Sequence, residues 1–155
     1  MSLPIFTGFL KSALPHRCHQ PLPALPTREA EFQLSYAEGW LALGLPDEAE
    51  REFSQLSVPD QSTPRALRLG VQIAVGLNLP EEALRLGIQL AQCEPEQPDG
   101  WMILTRVALN ICGRTDWAMK ILREAHGYLP NDPDIKTSLD LLVEICGELP
   151  KIEHL

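Results

Sequence analysis

Residues 1–28 contain no acid. Lys11, Arg17 and Arg28 give them a charge of +3, whereas residues 29–155 hold ten basic residues against all 21 acids, a net charge of −11. A body that acidic repels phosphate backbones, which argues against nucleic acid as a partner. No apolar run approaches the length of a membrane-spanning helix, so no segment reads as a membrane span. Cysteine is sparse and scattered at Cys18, Cys93, Cys112 and Cys146, with no CxxC pair. That removes the framework of a zinc site or a disulfide scaffold and leaves reduced, mostly buried thiols in a cytoplasmic protein as the expectation. A nucleophile elbow, a phosphate-binding glycine loop and an HExxH helix are all missing. Asp132 and Asp134 lack the other ligands of a calcium loop. His16, Cys18 and His19 cluster without a fourth metal ligand nearby. His126, near the end of a helix, reads as a partner of the last carbonyls. The expectation is a protein that is not an enzyme and needs no cofactor or metal.

Proline, by contrast, is abundant early. Pro4, Pro15, Pro21, Pro23 and Pro26 all precede Arg28, so residues 1–27 read as a loosely ordered, Pro-rich arm ahead of a domain over 28–155. The arm has neither a basic n-region nor an unbroken apolar h-region, so it does not read as a signal peptide, and it is only weakly Arg- and Ser-rich, unlike a transit peptide. Within it, Ile5, Phe6, Phe9 and Leu10 are spaced as an amphipathic turn that docks on the body of the protein or on a partner. The proline run over 21–26 reads as a stiff linker.

What organises the remainder is a period. The stretch GLPDEAEREF beginning at Gly44 is nearly rewritten as NLPEEALRLG beginning at Asn78, and the series continues with Gly113 and Gly147 at an almost constant interval. Gly and Asn accept the left-handed backbone that closes a helix. Pro46 and Pro80 suit the first turn of the next helix, and the acids Asp47, Glu48, Glu81 and Glu82 complement its positive dipole end. Ala49, Ala83 and Ala118 stand at the same offset after the first three markers and let paired helices approach closely. Thr63 with Pro64 and Asp132 with Pro133 read as N-caps followed by proline at the first helical position. The pattern predicts helices over 28–43, 46–57, 64–77, 80–93, 98–112, 115–129 and 133–147.

A helix–turn–helix period of this length resembles the tetratricopeptide repeat family. The matching residues are Ala37 and Trp40; Leu69, Gly70 and Ile73; Trp101, Leu104 and Ala108; and, in the second helices, Ala49, Phe53, Ala83, Ala118, Leu122 and Ala125, with Pro95 and Pro130 closing two repeats. Gly87, Leu56, Leu90 and Gln61 depart from the family pattern. The first helices of repeats two and three exceed that pattern by a single residue. The Gly-Leu-Pro-Asp-Glu-Ala and Pro-Asp-Gly-Trp phrases also resemble small bacterial proteins of this repeat type.

The resemblance implies an all-α fold, a right-handed α–α superhelix of three repeats over about 28–61, 62–95 and 96–130, with a capping helix over 133–147. It implies a concave surface, lined by the first helices, that binds a peptide segment or a partner protein. By position, that face draws on Glu31, Leu34, Ser35 and Glu38 in repeat one, Arg65, Arg68 and Gln72 in repeat two, and Arg106 and Asn110 in repeat three. Leu34 and Glu38 stand where some family members clamp a C-terminal carboxylate with Lys and Asn. The role implied is a non-catalytic adaptor or scaffold; a small acidic chaperone for secreted proteins is the alternative. In the last helix Ile135, Leu139, Leu142 and Cys146 form one apolar stripe. Leu141 and Ile145 project on another side, to be covered by a second copy as a homodimer, by the arm, or by the tail Ile152–Leu155.

Overall fold

The computed structural model describes residues 26–148, and every regular element among them is helical. The elements are α1 (Arg28–Ala42), α2 (Pro46–Phe53), α3 (Val58–Gln61), α4 (Pro64–Gly76), α5 (Pro80–Cys93), α6 (Pro98–Arg106) running directly into a π-helical turn (Val107–Ile111), α7 (Thr115–Tyr128) and α8 (Pro133–Glu148). Successive long helices pack in pairs, α1 on α2, α4 on α5 and α6 on α7, and each pair packs on the next, with α8 against α7. The first helices α1 and α4 also touch each other directly. The arm residues Ile5, Phe6, Phe9, Leu10, His16, Cys18 and His19 and the tail Ile152–Leu155 lie outside the described residues.

The turns are built as their residues require. Gly44, Asn78 and Gly113 have φ of +73°, +56° and +61°, the left-handed conformation that closes a helix. At the other helix ends, the Thr63 hydroxyl accepts from the Ala66 N–H at 3.4 Å, and Thr27 does the same for Ala30 at 3.2 Å. Asp132 Oδ1 accepts from the N–H groups of Asp134 and Ile135 at 3.1 and 3.0 Å. Asp132→Ala leaves both donors without that partner. It should lower the unfolding free energy by about 1 kcal/mol in urea titration, while Asp132→Asn should retain most of it.

Three elements differ from the sequence-based boundaries. The helix expected over 46–57 stops at Phe53. Ser54 Oγ and Gln55 Nε2 both donate to the Arg51 carbonyl, at 2.9 and 3.2 Å, competing with the helical ladder. Pro59 has no N–H and would crowd the carbonyl of Gln55 in a continuing helix. The break then folds as the single turn α3, capped by Ser57. The helix expected over 98–112 becomes α6 plus the π turn. At the C-terminal end, Gly147 stays helical and α8 runs to Glu148.

Two core clusters share α4. Ala66, Leu69 and Ile73 face Ala30, Leu34 and Ala37 of α1, Ala49 and Phe53 of α2 and Leu56 just after it, while Leu67, Val71 and Ala74 face the larger cluster that reaches Ile135 and Leu142 of α8. Each set is spaced at three or four positions, so one helix presents two apolar stripes to two neighbours. Between α5 and α6 the two backbones come close at Gly100, where a Cβ would stand 3.2 Å from both N and Cα of Ala91. The expectation of mostly buried thiols does not hold at Cys93, which is exposed; Cys112 and Cys146 are half-buried against the larger cluster.

Candidate functional site

The residues expected on the binding face fall into three groups. Leu34 is fully buried in the N-terminal cluster, one helical turn from both Ala30 and Ala37, and presents no surface to a ligand. This corrects its placement on the binding face: its spacing puts it on the core stripe of α1.

Glu31, Ser35, Glu38 and Arg65 pair with one another. Arg65 Nη1 lies 2.7 Å from Glu31 Oε2, while its Nε and Nη2 meet the two Glu38 oxygens at 3.0 and 2.9 Å, a bidentate fork. Nη2 also reaches Ser35 Oγ at 3.4 Å. Hydrogen bonding to Glu38, with added attraction from Glu31, pushes the Arg65 guanidinium above its ordinary range. This network ties α1 to α4. Arg68 donates to Glu94 at 2.7 Å and so ties α4 to the end of α5. Both arginines already hold carboxylates of the chain itself.

Gln72, Arg106 and Asn110 come together around a cleft. A cavity of about 340 Å³ between α4 and α6 with its π turn is lined by these three residues and by Val71, Val75, Ile103, Val107 and Ile111. Gln72, Arg106 and Asn110 are exposed at its edge, and Arg106 has no ion pair among the described residues. The π turn accommodates an extra residue in this stretch of the sequence. The interval from Asn78 to Gly113 is longer than its neighbours by a single residue, and that residue is absorbed where Cys112 N–H donates back to Val107 O at 3.2 Å. A π turn widens the helix by that one residue and re-aims the side chains that follow it. Here Val107, Asn110 and Ile111 of the turn face the cleft.

Sequence reading missed the apolar lining, Val71, Val75, Ile103, Val107 and Ile111. The surplus residue in repeat three was its signal. A second signal is that Glu31 and Arg65, and likewise Gln72 and Arg106, stand one full period apart, so equivalent positions of successive repeats become neighbours on adjacent first helices.

Elsewhere, a second cavity of about 310 Å³ between α2, α3 and α5 is lined by Glu50, Phe53, Val58, Glu82, Arg85 and Gln89 among others. Burial, then repulsion from Glu82, pushes the Glu50 carboxyl above the usual range, while hydrogen bonding to Arg85 holds Glu82 below it. Protonation of Glu50 is therefore favoured by folding, and its charged form destabilises the fold as pH rises through that raised value. Glu50→Gln should raise the melting temperature at pH 7, and the gain should shrink at pH 4, as read by calorimetry at both.

His126 differs from expectation, because its Nδ1 is buried with no hydrogen-bond partner among the described residues, while Leu129 N–H donates to Ala125 O to close α7. Among the described residues no group of three His, Cys, Asp or Glu side chains is placed to hold a metal, and no helix is long and apolar enough to cross a membrane. No protein-family model matches the chain, and no curated protein matches it at a significant level.

Proposed function

We propose that this chain is a tetratricopeptide-like right-handed superhelix of three repeats and a capping helix, acting in the cytoplasm as a non-catalytic adaptor or scaffold. Its concave face is the side carrying α1, α4 and α6, and an extended peptide segment of a partner protein binds there. The observation that carries this reading is the cleft between α4 and α6, with an apolar floor and a polar edge. Val75, Ile103 and Ile111, backed by the buried Val71 and Val107, offer a surface on which an apolar side chain leaves water. The amides of Gln72 and Asn110 each carry donors and an acceptor, the combination that satisfies the N–H and C=O of an extended backbone. Arg106 supplies a planar cation for a carboxylate of the peptide. Arg65 and Arg68 contribute by fixing α1, α4 and α5 relative to one another.

Panning a displayed random-peptide library against the full chain tests this. The reading expects enrichment of short sequences that place an apolar side chain beside an acidic one. Enrichment of basic sequences, or none above background, would contradict it.

Self-association through α8 is supported by a separate observation, the exposure of Leu141 and Ile145 at 55% and 45%. Sedimentation velocity should give a dimer that Leu141→Glu with Ile145→Glu converts to monomer. A wild-type monomer at high concentration would remove this part of the reading.

A further inference from the structure

At the opposite end of the helix row, Phe32, Tyr36, Gly39 and Leu43 recur at alternating steps of four and three along the chain. That spacing sets them on one line along α1 and its C-cap residue Leu43, turned away from Ala30, Leu34 and Ala37. Phe32, Tyr36 and Leu43 are 57%, 63% and 70% exposed, and among the described residues nothing beyond the helix's own backbone lies within 4 Å of where a Gly39 Cβ would stand. The line therefore has a low point between two raised apolar side chains, into which another segment can settle. Large aromatic side chains left in water on one continuous stripe mark a surface that something covers.

The segment that fits is the one entering α1. Residues 5–10 carry Ile5, Phe6, Phe9 and Leu10 at helical spacing, and the arm to Leu25 has no acid but carries Lys11 and Arg17. Glu29 in the first turn of α1 lies near the stripe, whereas Glu31 and Glu38 are already held by Arg65; residues 29–155 as a whole carry a net charge of −11. Charge thus favours the arm over a second copy of the acidic body. Reach is sufficient: the stretch from Leu10 to Pro26 spans up to about 50 Å when extended, against about 22 Å for the whole of α1. We propose that residues 5–10 of the arm pack on the Phe32–Tyr36–Leu43 stripe of their own chain, seating an apolar side chain over Gly39 and covering the first end of the helix row.

Tyr36 points away from the core, so benzoylphenylalanine can replace it in the full chain without disturbing the packing. Irradiation should give a cross-linked product of monomer mass in which residue 36 is joined to the tryptic peptide 1–11. Phe6→Ser with Phe9→Ser should cut the yield of that product about tenfold, equivalent to about 1.4 kcal/mol of docking free energy. Products of dimer mass alone would assign the stripe to a second copy and overturn the proposal. So would cross-links that bypass peptide 1–11, or a yield unchanged by the double substitution.

Discussion

Leu34→Ala should lower the unfolding free energy of the chain by about 2–5 kcal/mol, measured in urea, the range for emptying a fully buried leucine site. Leu34 is the largest side chain that α1 buries completely, and the cluster it belongs to is the smaller of the two, shared by α1, α2, the segment after α2 and one stripe of α4. Trp40 and Leu41 of α1 pack against the same cluster but are only partly buried. The ion pairs of α1 to Arg65 are solvent-exposed, with the arginine side chain 37% and the glutamates 49% and 45% accessible. Pairs of that kind contribute about 0–1 kcal/mol. The loss should appear first as faster hydrogen exchange over 28–42, since the larger cluster beyond α4 does not include Leu34. The substitution also separates packing from recognition. A peptide bound in the α4–α6 cleft should keep its affinity for Leu34→Ala protein that remains folded.

The second large effect is expected in binding. Val75→Asp with Arg106→Glu should weaken the peptides selected on the wild-type chain by about a hundredfold, or about 2.7 kcal/mol, in calorimetric titration. Val75 is 36% exposed and forms part of the cleft wall, so a carboxylate there puts a charge where an apolar side chain would dock. Arg106 is free of ion pairs among the described residues, so reversing its charge turns attraction for an acidic peptide into repulsion without breaking an internal pair. Neither side chain is buried in the core. The double variant should unfold within about 0.5 kcal/mol of wild type, as surface substitutions usually do.

Much of the architecture could be read from spacing because it rests on backbone chemistry that few residues satisfy. Gly44, Asn78 and Gly113 mark the left-handed turns, and Thr63 and Asp132 cap the helices they precede. What spacing could not give was local competition. Whether Ser54 and Gln55 bond to Arg51 O, or whether a surplus residue widens a helix rather than lengthening a loop, depends on small differences between neighbouring conformations. At Gly147 the residue type permits a left-handed turn but does not compel one.

The candidate site was legible only in part. Gln72, Arg106 and Asn110 were reachable from their position on the first helices, and the structure places them around one cleft. Leu34 was misplaced because a one-residue rotation of the helix moves a side chain through about 100°, enough to exchange core for surface. The mutual pairing of Glu31, Glu38 and Arg65 was hidden because it joins two helices. Ion pairing of that kind needs the lateral contact of first helices, which a period implies only when successive units stack.

The most direct test of the central claim is an NMR titration of the full chain with a library-selected peptide. Binding in the cleft predicts amide shifts concentrated at Gln72, Val75, Arg106, Val107 and Asn110, with the α2–α5 surface around Glu50 and Arg85 unmoved. Shifts centred on that second surface, or on α8, would contradict it.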